Sequence, residues 1–420
     1  MDNIVGKKPA LIWATHLSVA VLVFLWLFPT VGLFVSSFRT GDQIASSGWW
    51  KALFPQEQNT MIRTASSDTQ KQIDGNYVIE GNLFAEEGDA QGEISVWGTS
   101  SRDIGVYTPG DTADLGEDGM LTVEANGDYR LVNDTEFTGT RGERVFLTAK
   151  TPPSFTLDNY RTVLFSGKAT DKMGKAFINT FTVTIPATVI PILIAAFAAY
   201  ALAWMDFRGR AFLIAVIVGL LVVPLQLALI PLLSFHGTVV EWFIALVGTP
   251  MEDNARRFAE VGWLGQLFGF EPGDTINSKG YLGVWAAHTG FGLPLAIYLL
   301  RNYMVGLPKD IIENARVDGA TDFQIFTKII LPLSFPALAS FAIFQFLWTW
   351  NDLLVALVFL IDSSGETTVM TRQIVELLGT RGGNWEILAT AAFVSIAVPL
   401  TVFFFMQKYL VRGLLAGSVK

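Results

Sequence analysis

The sequence predicts an all-α polytopic membrane protein of six transmembrane helices, interrupted by an inserted β-rich extracytoplasmic domain. Three observations carry that reading. The 420 residues are 51% hydrophobic and only 16% charged, with a mean hydropathy of +0.42, the profile of a chain whose main solvent is lipid. Six stretches are apolar over the ~20 residues that a helix needs to cross a bilayer. The formal net charge of −9 is concentrated almost wholly between residues 39 and 172, a segment unlike its surroundings in composition.

In order, the expected spans are Leu11–Val35, Phe177–Trp204, Ala211–Phe235, Tyr281–Leu300, Phe335–Leu360 and Ile387–Met406. The first follows Lys7 and Lys8 without a small-residue cleavage site, so it reads as a span and not as a removed signal peptide. Basic residues beside span ends set orientation. Lys7, Lys8, Arg208, Arg210, Arg301, Lys309, Arg316, Lys408 and Arg412 fall on one side of a six-span chain, against Arg39, Lys168, Lys172 and Lys175 on the other. Both termini are then cytoplasmic. Three domains follow: residues 1–38, the N-terminal end and first span; residues 39–172, the outward insert; and residues 173–420, a five-helix core.

The insert alternates in short runs, Tyr77–Leu83, Glu93–Trp97, Leu121–Glu124 and Arg144–Thr148, separated by Gly, Asp and Asn. Asn126-Gly127 inside TVEANGDYRLV is a strong hairpin signal. Within the core, Pro186, Pro191, Pro224, Pro231, Pro294 and Pro399 are expected to interrupt four spans, leaving carbonyls that must face protein or a wet cavity. Gln226, His288, Gln345, Asn351 and Asp352 place polar atoms at membrane depth, where they mark either a substrate path or contacts between helices. Trp348 and Trp350 flank the polar pair and join Gln226, Gln345, Asn351 and Asp352 as substrate-path candidates. Trp13, Trp204, Trp285 and Trp385 lie near span ends and read as interfacial anchors. No cysteine is present and the three histidines are scattered, so no metal site is expected.

Between the fourth and fifth spans, residues 307–334 form a charged segment of two short helices. Pro308 suits a first helical turn, with Asp310 and Glu313 near its positive end. Gly319 suits a left-handed cap. Thr321 and Gln324 fit a capping box, and Phe323, Phe326 and Ile330 are expected to share one face before Pro332. Such a pair can lay an apolar face into a partner's groove or lie on the membrane surface.

The spacing E-x-A-x3-G-x9-I-x-L-P, through Glu313, Ala315, Gly319, Ile329, Leu331 and Pro332, resembles the EAA loop of ABC-importer permeases, with Asn314 where alanine is usual. WNDLLVAL (Trp350–Leu357), the C-terminal QKYLVRGLLAGSVK (Gln407–Lys420) and Asn179 at the start of the second span are similar to the sugar-importer branch, especially MalG-type permeases of α-glucoside systems. The resemblance covers about residues 177–420 and implies an ABC type I importer fold. It also implies that the EAA loop (Glu313, Ala315, Asp318, Gly319, Ile329, Leu331, Pro332) docks into a P-loop ATPase dimer. A second, MalF-type permease would complete the path for an oligosaccharide such as maltose or trehalose. The outward loop Asp362–Glu386 would meet a sugar-binding protein through Arg372, Gln373 and Arg381. No Walker A sequence occurs, the nearest fragment being Ser166–Thr170. The chain is therefore expected to bind no cofactor and to be no enzyme, ATP and Mg being used by the partner, in the bacterial cytoplasmic membrane. Membrane lipid is an expected partner and nucleic acid is not. Two rivals stand beside this reading: an ion-coupled carrier using Asp352 and His288, and a receptor sensing a ligand through its acidic insert.

Overall fold

The computed structural model describes residues 9–86, 92–138, 140–166, 172–276, 279–361 and 365–416, with side chains from Leu11 to Tyr409. The described chain divides into two compact units.

The first unit comprises Met1–Thr162 with Gly382–Phe393. It opens with the apolar helix α1 (Pro9–Ser36) and a short α2 (Gly41–Ser46), whose N-terminus is closed by a capping box between Thr40 and Gln43. Two antiparallel sheets follow. One has the order β1-β8-β4 (Gln56–Arg63, Arg144–Thr151, Glu93–Gly98). The other has the order β2-β3-β7-β6-β5 (Lys71–Ile73, Asn76–Asn82, Asp128–Asn133, Met120–Val123, Thr112–Asp114). A short α3 (Leu83–Glu86) follows β3. β1 and β8 pair without slippage from Gln56 opposite Thr151 to Arg63 opposite Arg144.

The inward residues of both sheets make one core around Trp97, Leu121, Leu131, Val145 and Leu147, all at most 1% exposed. Each of the four alternating runs expected from the sequence coincides with a strand, to within three residues at either end. The hairpin at Asn126-Gly127 closes differently from a two-residue turn. Only Gly127 is left-handed (φ +89°), and Glu124 accepts from Gly127 N–H while its own N–H reaches Asp128 O. That is a three-residue loop ending in a glycine bulge.

The second unit comprises Val163–Arg381 with Val394–Lys420; α4 (Asp158–Phe165) runs across the division. Its long helices are α5 (Met173–Trp204), α7 (Leu225–Val247), α9 (Tyr281–Val305), α13 (Phe335–Trp350) and most of α16 (Trp385–Ala416). α5 lies along α9, and α13 packs on both. Small residues at the contacts, Ala187, Ala195, Ala199, Ala287 and Ala296, all fully buried, let the helices approach closely. α7 leads into a two-stranded ribbon, β9 (Gly248–Pro250) and β10 (Phe258–Val261), and the short α8 (Trp263–Leu267).

Among the described residues, five helices are long and apolar enough to cross a membrane, or up to six if the pair Asp322–Leu333 and Phe335–Trp350, bent by 69°, counts as one span. Three sequence expectations are corrected here. The span Ala211–Phe235 is not one helix: α6 (Arg210–Leu220) stops before Pro224, and α7 starts afresh and runs on to Val247. The fifth expected span also breaks, α13 ending at Trp350 and α14 covering Leu354–Phe359. By contrast, Pro186, Pro191, Pro231, Pro294 and Pro399 interrupt nothing, because each lies inside a continuous helix. Helices tolerate them where neighbours satisfy the freed backbone groups, and the donors that do so for Pro186, Pro191 and Pro399 are described next.

A candidate coupling segment and a membrane cleft

The segment after α9 folds as two short helices. α10 (Lys309–Val317) begins after Pro308 and ends at Gly319, whose φ of +82° only glycine adopts freely. Ala320 N–H reaches Ala315 O and Gly319 N–H reaches Arg316 O, the paired bonds of a Schellman cap. α11 (Asp322–Ile325) starts with the expected capping box, Thr321 Oγ1 accepting from Gln324 N–H and Gln324 Oε1 from Thr321 N–H. A π-helical turn over Phe326–Ile330 and the short α12 (Leu331–Leu333) carry the chain to the bend at Ser334. Pi-turns and prolines are the usual causes of such bends, and Pro332 and Pro336 flank this one.

One side of the pair is fixed to the helical core. Ile312, Ile325, Phe326 and Ile330, each 3% exposed or less, pack among Ala195, Ala199 and Tyr200 of α5 and Ala296, Leu300 and Met304 of α9. Arg316 ties the two short helices together, donating to Asp322 Oδ1 at 3.3 Å and to Trp204 O at 3.3 Å, while Tyr200 donates to the same carboxylate. The other side is open: Ile311, Val317 and Phe323 are 41%, 86% and 66% exposed. Glu313 stands beside them, paired with Lys309 at 2.9 Å. Asp318, Gly319 and Pro332 are exposed as well, whereas Ala315, Ile329 and Leu331 are half-buried. Phe323 thus leaves the buried face expected for it. Phe326 and Ile330 are buried as expected, and Ile325, just before the π-helical stretch, takes the third inward position.

The substrate-path candidates separate. Gln226, in the first turn of α7, and Trp348 of α13 share the lining of a cleft of about 920 Å³ with Leu225, Phe235, Phe291 and Pro294. Trp348 also borders a second hollow of about 610 Å³ with Asn351 and Asp352. Asp352 is nevertheless mostly buried. Its carboxylate accepts from Val355 and Ala356 N–H, closing the start of α14, and lies 3.7 Å from His288 Nε2. Asn351 donates to Leu347 O at the end of α13.

Gln345 and Trp350 are occupied otherwise. A proline leaves the carbonyl four residues before it without a helical partner. Ala187 O, freed by Pro191, accepts from Gln345 Nε2 at 3.1 Å, and that amide also reaches His288 O. Ser395 O, freed by Pro399, accepts from Trp350 Nε1 at 3.0 Å. Thr182 O, freed by Pro186, accepts from Trp285 Nε1 at 2.9 Å. Gly292 faces Gln345 so closely that a Cβ there would lie 2.8 Å from its side chain. Trp350 is 1% exposed and packs on Phe181 and Phe346. These two candidates join helices instead of lining the larger cleft.

The segment Asp362–Glu386, expected as a loop, contains the helix α15 (Met370–Thr380). Asn179 of α5 holds its approach by donating to Glu366 O and Thr368 O, and Lys175 pairs with Glu366. Arg372 bonds Glu376 and Leu360 O. Gln373 is 3% exposed, so its side chain belongs to the interior and not to a contact surface; Arg381 is half-buried. Most of the fragment Ser166–Thr170 lies outside the described residues, as do Lys7 and Lys8. Among the described residues, no three His, Cys, Asp or Glu side chains gather as a metal site.

A bundle of proline-bearing apolar helices around a cleft, with a two-faced helix pair between two of them, defines a membrane permease. Residues 163–415 match the family of binding-protein-dependent transport system inner membrane components, and the chain belongs to that family. It is 55% identical over 415 residues to the alpha-glucoside transport system permease protein AglG of Rhizobium meliloti, covering 99% of each chain. It is also 51% identical over 266 residues to the osmoprotective compounds uptake permease protein GgtD of Synechocystis, covering 63% of this chain and 76% of that one. To the trehalose transport system permease protein SugB of Mycobacterium tuberculosis it is 31% identical over 274 residues, 64% and 84% of the two chains. The protein is accordingly a multi-pass inner-membrane permease subunit of the sugar branch of ABC importers, and not an enzyme.

Proposed function

We propose that the chain is one of two permeases in an ATP-driven importer of an oligosaccharide of the α-glucoside class. A separate P-loop ATPase dimer, binding ATP and Mg, grips residues 307–334. A second, MalF-type permease completes the path, and an extracytoplasmic sugar-binding protein delivers the sugar, meeting this chain at α15 through Arg372 and Arg381. Both termini and the coupling segment are cytoplasmic, and the β-rich insert is extracytoplasmic.

The observation that carries this reading is the division of labour across the coupling segment. Its inner face (Ile312, Ile325, Phe326, Ile330) is locked to α5 and α9, while its outer face (Ile311, Val317, Phe323) is uncovered beside Glu313. Motion imposed on the outer face reaches the core helices α5 and α9 through packed side chains. The substrate class rests on the full-length relative, whose printed name is an alpha-glucoside permease. The cleft lined by Gln226 and Trp348 supplies an amide and an indole, the groups that hydrogen-bond and stack on sugars.

The test is a tagged pull-down from native membranes in mild detergent, with mass spectrometry of the co-purifying chains. A P-loop ATPase and a second permease are expected, the ATPase being lost when Glu313–Gly319 is disrupted. A chain that purifies alone and moves sugar into vesicles without ATP would sink the proposal and turn attention to the His288–Asp352 pair.

A further inference from the structure

Immediately after the first membrane helix the chain reads GWWKALFP, Gly48 to Pro55. Nothing in the transport reading uses it. Arg39, 3% exposed, fixes the path that leads there. Its guanidinium donates to Gln43 O at 2.5 Å, to Ser47 O at 3.0 Å and to Ser47 Oγ at 2.6 Å, tying the C-terminal end of α2 to the link that precedes it. The chain then descends alongside α1 instead of rising into the sheets. Trp49 packs against Phe28, ring centroids 4.7 Å apart and planes tilted by 60°, and covers Gly32, where a Cβ would lie 2.7 Å from the indole nitrogen. Trp50 lies 6.3 Å from the same phenylalanine.

Depth follows from helix geometry. The apolar part of α1, Leu11–Ser36, has 26 residues, about 39 Å at ~1.5 Å per residue, against a hydrocarbon core of ~30 Å. With α1 centred, the edge of that core falls about three residues inside its end, near Leu33. Trp49, seated on Phe28 and Gly32, is therefore at or just below that edge. Ala52 is buried beneath the segment, yet Trp50, Leu53 and Phe54 are 59%, 74% and 62% exposed. They form an apolar patch continuous with the uncovered surface of α1, and Lys51 is exposed beside them.

We infer that Trp49–Phe54 is an interfacial foot, dipping into the bilayer in the leaflet where α1 ends. The indoles take the headgroup boundary, Leu53 and Phe54 enter the acyl region, and Lys51 reaches up to lipid phosphate. Pro55 stops the foot and β1 begins at the next residue, so the lipid contact sets the height of the sheets above the membrane. The occupant is lipid because the patch is the sideways continuation of a membrane-helix surface, bordered by aromatic residues and a cation.

The native chain lacks cysteine, which makes a depth measurement direct. Phe54→Cys in the full-length protein, spin-labelled and reconstituted in liposomes, is compared with Leu27→Cys on α1 and Ser101→Cys in an exposed turn. Accessibility to oxygen, with exclusion of a polar nickel reagent as at position 27, is the expected result. Accessibility to the nickel reagent as at position 101 overturns the proposal. Shielding from both reagents overturns it too, by showing that protein covers the patch. Leu53→Cys provides the same readout should position 54 impair assembly.

Discussion

Gln345 reads in the sequence as either a substrate contact or a contact between helices, and in the structure it makes the second. An amide at membrane depth is expensive unless it is paired, and here the pair is a carbonyl that Pro191 has released, plus His288 O. Gln345→Leu leaves a buried carbonyl unsatisfied, so we expect the purified protein to lose ~1–3 kcal/mol of stability, the usual cost of such a group. The measurement is the thermal midpoint in detergent. A variant as stable as the parent, but impaired in sugar uptake, would return Gln345 to the substrate path. Gly319 makes a different residue-level case. A Cβ there would meet nothing within 4 Å, yet φ is +82°, so any cost of substitution is conformational and not steric. Gly319→Val should cost ~1–2 kcal/mol in the left-handed region and abolish ATP-driven uptake while membrane insertion stays normal. Gly319→Asn, which tolerates that region, should retain most uptake.

Among the elements, the coupling helices owe their shape to local signals and their orientation to packing. The capping box at Thr321 and the left-handed glycine are short-range devices, and both were legible. The inward face was legible in Phe326 and Ile330 but not in Ile325, which is buried where Phe323 was expected. Phe323 therefore becomes a test of the outer face. Phe323→Asp should leave expression and insertion unchanged, since it touches no core cluster, and should release the partner ATPase on purification. Retention of the ATPase by that variant would mean that its grip lies elsewhere on the segment. The broken span at Trp350 belongs to the same class of result. Apolar content runs on through Leu360, and nothing local distinguishes one long helix from two short ones until Asp352 is seen closing the second.

Across the whole molecule, the insert and the helical core answer to different solvents, and pH discriminates between them. In the insert, the carboxylates of Asp111 and Asp128 are held below the ordinary carboxylate range by hydrogen bonds from Thr108, and from Asn82 and Asn126. A lowered folded-state value means that each group stabilises the fold at pH above ~4, a contribution lost as pH falls through the lowered value. Glu143 works in the opposite sense, being raised by burial and by Asp118. The hairpin built on Asp128 should accordingly show faster amide exchange than the Glu143 strand as the full-length protein is acidified below pH 4. Asp128→Asn should remove most of that difference, because its amide no longer titrates. Equal acid response of the two strands would show that these hydrogen bonds do not couple to folding.

Membrane class, the existence of spans, the strands between Gln56 and Thr151 and the capped helix pair were all readable from composition, periodicity and short motifs. Each depends on residues close together in the chain, where the code is local: hydropathy over twenty residues, alternation over six, a glycine or threonine at a helix end. Other features came only from tertiary structure, namely the break at Trp350, the outward turn of Phe323, the burial of Gln373 and the occupation of Gln345 and Trp350, whereas the break at Pro224 was among the interruptions expected from the prolines. Their cause is the need to satisfy every buried backbone group in a medium without water. At Pro186, Pro191 and Pro399 the helix continues past a freed carbonyl that a donor from another helix satisfies. Trp285, Gln345 and Trp350 meet carbonyls 103, 158 and 45 residues away in sequence, distances at which no local pattern carries information.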